Sequence, residues 1–455
     1  PCSLHPKPLI FNHCKLFMPS IRHNKPQPDL LQPYRAINMQ RARNMETEVD
    51  GPAKQYPYPA IGVYNGHGAS HSWLWFVEIL DRMGFWDVQF FDEQHLKSGV
   101  LDSIDVLLVS GGDTFAIAES LDKTGAKQLK SFLERGGLYI GSCAGAYLPL
   151  QSSLSPLNLF NFASVKICNL TKTLPEPLAL PEKFCTSYGC NYVFHPVREE
   201  VTITLDNRVF PGHPREFTAP LYGGPSFLSS KDAESLAHYT GFTDQTLFLI
   251  DKQLASDTLI GKSAIVHKKI GKGDLYLLGP HLEHPHFSEA NTLIADMIFQ
   301  GNYETASTRT ISPSYKLTSC DYKNHPLWRS IKSQVSNARI VSLALERNQV
   351  TWQIGYKVYE PAKIRFFLEM VWERFSAIEK QCLTVDEEIL LELKESFETI
   401  THLIREIKAL TDKSTDSTEK AIQLFDQIKS SCAQFLSIYF AIQLGHFSTS
   451  QHSTN

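Results

Sequence analysis

Roughly 18 consecutive apolar residues, the length that crosses a bilayer as a helix, occur nowhere in this 455-residue chain. No membrane span is therefore expected. Charge of one sign is missing too. Lys and Arg number 44 against 48 Asp and Glu, a formal net charge of -4, which gives no reason to expect nucleic acid or an acidic membrane surface as a partner. The nine cysteines are an odd number and widely scattered. No C-x-x-C occurs, and Cys185 and Cys190 have no second pair to complete a zinc site. That pattern fits a reducing compartment better than a disulfide framework. The basic N-terminal residues are not followed by a continuous apolar stretch, so a secretory signal is not expected and the cytoplasm is the expected location. Hydrophobic content of 42% with 20% charged residues is enough for a sizeable core, and the length predicts two to three domains.

One stretch organises what is present. In Gly137-Leu-Tyr-Ile-Gly-Ser-Cys-Ala-Gly-Ala-Tyr147 a short apolar strand stops and turns into a helix, with Cys143 at the corner. Gly141-Ser-Cys143-Ala-Gly145 is a G-x-C-x-G form of the nucleophile elbow. Neighbours without a Cβ allow the tight turn, and the helix N-terminus offers N–H groups and partial positive charge that favour a thiolate. The plainer alternative is a small buried cysteine in a tight turn.

Residues 1–57, rich in Pro, Asn and Gln with no sustained period, are expected to be extended or disordered. From Pro59 strands alternate with helices. Strands are expected at Ala60–Tyr64, Val88–Phe91, Ile104–Val109 and before Cys143. Helices are expected through Trp73–Met83 and around Gln128–Glu134. This rhythm predicts an α/β fold with a doubly wound parallel sheet, whose sites gather at the C-terminal strand ends. The Asn65–Ser70 loop, the Gly111-Gly112 loop and Cys143 should then share one rim. Further strands are expected at Val201–Leu205, Thr246–Ile250, Ser263–His267 and Asp274–Leu278. The last two flank Gly271-Lys-Gly273, a hairpin signal. A helix near Leu293–Ile298 closes a domain spanning 58–302. Residues 303–360 read as a linker with a helix at Ile331–Leu345, residues 361–445 as a helical bundle, and 446–455 as a tail. Leu390, Leu393, Phe397, Ile400, Ile404 and Ile407 step by three and four, and Thr384-Val-Asp-Glu387 is read as a capping box at that helix's start.

A thiol nucleophile needs a base, and the base needs an orienting group. His281 and Glu283, just past a strand end, supply both residue types. The imidazole would take the thiol proton and the carboxylate would hold its tautomer. N–H groups near Gly112 and Ala144 would form an oxyanion hole. His281, Glu283, His284 and His286 also form a cluster of ligand types. Pro285 interrupts it and its spacing matches no helix face, so no metal is assigned.

Taken together, Val63-Tyr-Asn-Gly-His-Gly68, Leu108-Val-Ser-Gly-Gly-Asp113, Tyr139-Ile-Gly-Ser-Cys-Ala-Gly-Ala-Tyr147, Tyr222-Gly-Gly-Pro225 and Gly279-Pro-His-Leu-Glu283 resemble the amino-terminal domain of fungal-type biotin-protein ligases. That domain lies within the class I glutamine amidotransferase-like superfamily, and the resemblance covers about residues 58–302. It implies a flavodoxin-like, doubly wound, mostly parallel sheet carrying a Cys-His-Glu triad, with Cys143 as nucleophile, His281 as base and Glu283 as orienter. By resemblance and rim position, Gly66, His67, Gly68, Ser70, Gly111, Asp113, Tyr222, Gly223 and Gly224 would shape the substrate pocket. The C-terminal third has no Gly-Arg-Gly-Arg-type biotinyl-adenylate loop, so biotin ligation is not expected, and no cofactor is implied. Leu282 stands where the amidotransferases commonly carry proline. The expected activity is cysteine-dependent hydrolysis or transfer at a carboxamide or amide of a small molecule. The alternatives are a non-catalytic module that binds a metabolite or protein, with the C-terminal helices docking a partner, and a cysteine peptidase on the same fold.

Overall fold

The computed structural model describes residues 30–44, 58–174, 192–206, 208–301, 318–319, 326–355, 357–379 and 383–449. Expectations for residues 1–29, 45–57, 303–317 and 450–455 lie outside the described residues.

Four short apolar runs become β1 (Ile61–Tyr64), β2 (Val88–Phe91), β3 (Val106–Val109) and β4 (Leu138–Ser142). The chain continues through β5 (Val197–Arg198), β6 (Glu200–Leu205), β7 (Glu216–Pro220), β8 (Glu234–Phe242), β9 (Leu247–Phe248), β10 (Ser263–Ile270) and β11 (Gly273–Leu278). Nine of these form one sheet in the order β2-β1-β3-β4-β11-β10-β8-β6-β7. The first five strands in that order are parallel and wind like a flavodoxin sheet. The other four extend it antiparallel. Burial follows this division. Every residue of β1, β3, β4 and β11 is buried, as helices on both faces require, whereas β6 alternates buried and half-buried positions because one face meets solvent. The expected hairpin joins β10 to β11 with Ile270 opposite Gly273 and Gly271 at φ 60°. Strands β7 and β8 were not expected. Of Thr246–Ile250 only Leu247–Phe248 pairs, with β5 in a separate two-stranded sheet.

Around the sheet lie α1 (Gln32–Asn44), α2 (Trp73–Met83), α3 (Glu93–Lys97), α4 (Thr114–Glu134), α5 (Ala144–Tyr147), α6 (Lys252–Leu259) and α7 (Ser288–Gln300). Helix α1 corrects the reading of residues 1–57 as wholly extended or disordered. Its composition is polar, and it is held by a few long-range contacts: Leu31 is fully buried, Tyr34 stacks on Phe299 at 5.8 Å, and the Asn38 amide donates to Met83 O.

The C-terminal part contains β12 (Thr318–Ser319), α8 (Pro326–Glu346), the hairpin β13 (Trp352–Ile354) and β14 (Lys357–Tyr359), α9 (Pro361–Ile378), β15 (Leu383–Thr384), α10 (Glu387–Asp412) and α11 (Thr418–Thr449). Two boundaries shift. Helix α8 packs with α9 and α10, so it belongs to the bundle and not to a linker, and α11 runs through residue 446 to Thr449. The cap of α10 is Asp386, whose carboxylate accepts from Glu388 N, in place of the expected Thr384 box. The helices share one hydrophobic core with the sheet. Trp73 meets Phe367 at 6.1 Å and Phe90 meets Phe440 at 6.1 Å. An ion pair fastens the joint. Arg374, 4% exposed, reaches Glu78 at 3.0 Å and Asp81 at 3.2 Å, and Tyr439 OH donates to Asp81. Among the described residues no helix is long and apolar enough to cross a membrane.

Candidate functional site

Strand β4 ends at Ser142, and Cys143 follows at φ 51°, ψ -106°, a conformation that costs a non-glycine residue about 1–3 kcal/mol. The surroundings hold it there. Cys143 N donates to Leu278 O, Gly145 N to Ser110 O, and Tyr147 N back to Cys143 O. A Cβ on Gly145 would overlap the Val109 carbonyl, and one on Gly141 would overlap the Gly145 carbonyl, so both elbow glycines are required by close backbone approach. The hydrogen bonds that fasten this corner use the N–H groups of Cys143, Gly145 and Asp113 and leave out those of Gly112 and Ala144.

Beside β4, strand β11 delivers Gly279-Pro280-His281 to the same rim, where His281 N donates to Pro220 O at 2.8 Å. His281 Nδ1 and Glu283 Oε1 are 2.7 Å apart, with side chains 3% and 0% exposed. Ser142 Oγ lies 3.3 Å from the same nitrogen. With Nδ1 so engaged by Glu283, the ring still lies near enough to the Cys143 sulfur for each to shift the ionisation of the other. Gly111 leaves room for this pairing, since a Cβ there would sit 2.9 Å from the His281 ring and 3.5 Å from Cys143 Cβ.

The electrostatics follow from this geometry. Burial alone would push His281 down, but the Glu283 carboxylate and the sulfur overcome it and raise it to about 10. Burial pushes the Cys143 thiol up, yet the His281 hydrogen bond and charge, with Lys357 adding to them, hold it below its ordinary value against the opposing Glu283. Both shifts run in the direction that favours a thiolate beside an imidazolium. Cys432, equally buried but without such a partner, is raised by desolvation, and half-buried Cys168 is raised as well.

Aromatic side chains wall the pair. Trp75 stands edge-on to His281 at 5.1 Å, and the Tyr222 ring lies 5.7 Å from it while its carbonyl faces the sulfur at 4.0 Å. His71 and His284 pack on Trp75 at 5.4 and 4.6 Å, and burial holds both below the usual imidazole range, His284 at about 3. Burial thus favours the neutral form of both rings. Among the described residues no group of three or more His, Cys, Asp or Glu is arranged to hold a metal ion.

Similarity to known proteins covers part of this site. Residues 60–153 match the model of the family described as biotin-protein ligase, N terminal. A biotin-protein ligase N-terminal domain is thus present. The biotin–protein ligase of Schizosaccharomyces pombe is 26% identical over 249 residues, covering 51% of this chain and 34% of that protein, so the chain spans about a third of that relative's length. Among solved structures, a glutamine amidotransferase from Thermotoga maritima aligns at TM-score 0.30 and 12% identity, covering 52% of this chain and 82% of that one. A ThuA-like protein from Bacteroides uniformis aligns at 0.34 and 14%, covering 58% and 100%. Likeness of that degree carries no weight for the site. The stretch matching the biotin-protein ligase N-terminal domain contains Cys143, Gly112 and Ala144, while His281 and Glu283 lie beyond it.

Not every expected residue reaches the thiol. Tyr222 and Gly111 lie beside it, Gly112 packs on Gly68 and Ser70, and Gly68 and Ser70 buttress the turn: Gly68 O accepts from Asp113 N, and Ser70 N and Oγ donate to Gly111 O. Asp113 caps α4 by accepting from Phe115 N and Ala116 N. Gly223 packs on the His195 ring and Gly224 on Gly279. Gly66 and His67 turn away, which corrects their assignment to the same pocket. They line a separate open groove of about 970 Å³ together with Asp92, Glu93, Glu392 and Glu395, because His67 N is drawn to the Glu93 carboxylate. Sequence reasoning missed Trp75, His71 and His195, whose apolar-helix and loop settings carry no motif. It also missed Arg198, whose guanidinium lies over the Tyr222 ring at 5.4 Å.

Proposed function

We propose that the chain is a cysteine-dependent amidohydrolase or amidotransferase-like enzyme using Cys143, His281 and Glu283. The observation that carries this reading is the buried His281–Glu283 hydrogen bond beside a cysteine on a strained elbow, which together favour the thiolate. The thiolate would attack a carboxamide carbon, and the resulting oxyanion would be met by the N–H groups of Gly112 and Ala144. His281 would give its Nε2 proton to the leaving nitrogen as the C–N bond breaks, leaving a thioester on Cys143 and an amine or ammonia. Water, losing a proton to His281, would then split the thioester to a carboxylic acid and the free thiol. Glu283 would keep the imidazole in register and balance its charge. Biotin ligation is not part of this proposal.

The test is to incubate the protein with free carboxamides, including glutamine, and with peptide amides, and to follow both amine release and the mass of an acyl adduct on Cys143. Turnover and adduct are expected in the unmodified protein and absent in Cys143→Ala. Full turnover by Cys143→Ala would sink the proposal. Turnover of peptides alone would move it to a peptidase. A second reading, a non-catalytic binding module, draws on the closure of the site, where Cys143 is only 4% exposed. It gains if no amide is turned over while a ligand still protects Cys143 from alkylation.

A further inference from the structure

Strand β4 carries a hydroxyl to the base as well as leading into the nucleophile. Ser142 is the last residue of β4 and pairs with Leu278 of the neighbouring parallel strand β11, three residues before His281. Ser142 Oγ lies 3.3 Å from His281 Nδ1, the same nitrogen that Glu283 Oε1 approaches at 2.7 Å. All three residues are buried, Ser142 and Glu283 fully and His281 to within 2%. Among the described residues, that imidazole nitrogen is the one hydrogen-bond partner of the Ser142 hydroxyl. A small apolar residue would serve the turn equally well for space. It could not place an oxygen on Nδ1.

The pairing decides which atom gives the proton. A carboxylate oxygen accepts, and a bare Nδ1 at 2.7 Å would set two lone pairs against each other, so Nδ1 carries the hydrogen. The nearer Glu283 takes most of it. Ser142 Oγ, farther off, accepts the rest in a three-centre bond. Nε2 is then the ring nitrogen left to exchange a proton. Glu283 holds the ring through one oxygen alone, since its Oε2 is buried with no hydrogen-bond partner among the described residues. One bond leaves the imidazole free to swing about it, whereas a second acceptor from another strand also fixes the ring plane. The other neighbours offer no such bond. Trp75 from α2 and Tyr222 from the segment after β7 meet the ring at 5.1 and 5.7 Å. His71 and His284 stand against Trp75, and Cys143 is the thiol whose ionisation the ring shifts.

We propose that Ser142 is a positioning residue that shares the Nδ1 proton of His281 with Glu283 and so holds the imidazole in place beside the Cys143 sulfur. This rests on the amidohydrolase reading above and adds a fourth group to its three.

A double-mutant cycle of Ser142→Ala and Glu283→Ala tests it. The rate of Cys143 alkylation by iodoacetamide is followed from pH 5 to 9 on the full chain by peptide mass spectrometry. Cys432, wholly buried, reports in the same digest whether each variant keeps its fold. With Glu283 in place, Ser142→Ala is expected to slow labelling near pH 6 by about threefold, the scale of one weak hydrogen bond. The profile should move to higher pH, because a less well-held imidazolium stabilises the thiolate less. In the Glu283→Ala background Ser142 is the acceptor left on Nδ1, and the same change is expected to cost about tenfold. That surplus is the mark of two groups sharing one proton. A profile unmoved by Ser142→Ala, or an equal effect in both backgrounds, overturns the role of Ser142 while leaving the Cys-His pair standing. Should the double variant expose Cys432, the pH profile of Ser142→Ala alone decides. A profile of the unmodified protein that rises only in the ordinary thiol range overturns the amidohydrolase reading and the role of Ser142 together.

Discussion

Two openings on the same sheet rim differ in almost every respect. At the ends of β1 and β2 lies the open groove of about 970 Å³ bordered by Asp92, Glu93, Glu392, Glu395 and Asp426, a largely acidic surface facing solvent. At the ends of β4 and β11 the Cys143–His281–Glu283 cluster is buried and walled by Trp75 and Tyr222. The proposed chemistry belongs to the closed corner, because desolvation there strengthens the His281–Glu283 interaction beside the Cys143 sulfur. In the groove, water screens the same kinds of charge and little is gained from them.

Three experiments would break or sharpen that contrast. The largest effect is expected from His281→Ala. Burial raises the Cys143 thiol and His281 is the main group that holds it below its ordinary value, so losing the ring should send its pKa upward. Alkylation of Cys143 near pH 6 should then slow by at least about tenfold, because less of the thiol is ionised there. The direction is fixed by the sign of the shift: in the unmodified protein labelling persists below the ordinary thiol pKa and fades as pH falls through the lowered one, whereas the imidazolium is lost only as pH rises through about 10. A pH profile unchanged in His281→Ala would dissolve the distinction between the two openings.

The next effect is on stability. Arg374→Met leaves Glu78 and Asp81 without their partner at the joint between α2 and α9. We expect a loss of about 2–3 kcal/mol, less than for a fully buried pair because the Glu78 side chain is 30% exposed. Thermal unfolding followed by circular dichroism would measure it. One cooperative transition moving down in temperature is expected from the shared core, and two separated transitions would mean that the helices and the sheet are independent. The smallest effect belongs to the groove. Glu392→Gln with Glu395→Gln should leave the Cys143 alkylation rate within about twofold at moderate salt, since screened surface charges act weakly over that distance. A tenfold change would tie the groove to the site.

The legible part of the site is the local part. An elbow needs glycines within two positions of the nucleophile, and a His–Glu relay can be built from residues two apart, so Gly141-Ser-Cys143-Ala-Gly145 and His281-Leu-Glu283 can be read as strings. The parallel strands were also legible, because burial on both faces demands unbroken apolar runs such as Val106–Val109. Strand β8 was not. Glu234-Ser-Leu-Ala-His-Tyr-Thr-Gly-Phe242 mixes polar and apolar residues because part of it faces solvent, and its pairing with β6 and β10 comes from partners distant in the chain. Helix α1 escaped notice because a few residues, Leu31, Tyr34 and Asn38 among them, make the contacts that hold it.

By itself, the amino-acid order determined the doubly wound half of the sheet and the corner on which Cys143 sits. Each of these depends on backbone space or side-chain type within a few residues. The tertiary structure alone decided that Gly66 and His67 face a different opening, that α8–α11 share the core of the sheet, and that the β13–β14 turn comes to rest against Asp113. Those outcomes depend on packing between segments hundreds of residues apart, and no local pattern specifies where such a surface will dock. The charge state of Cys143 belongs to both levels. The elbow and the H-x-E pair supply the groups, and burial by the rest of the chain supplies the low-dielectric setting in which their interaction outweighs the cost of desolvation.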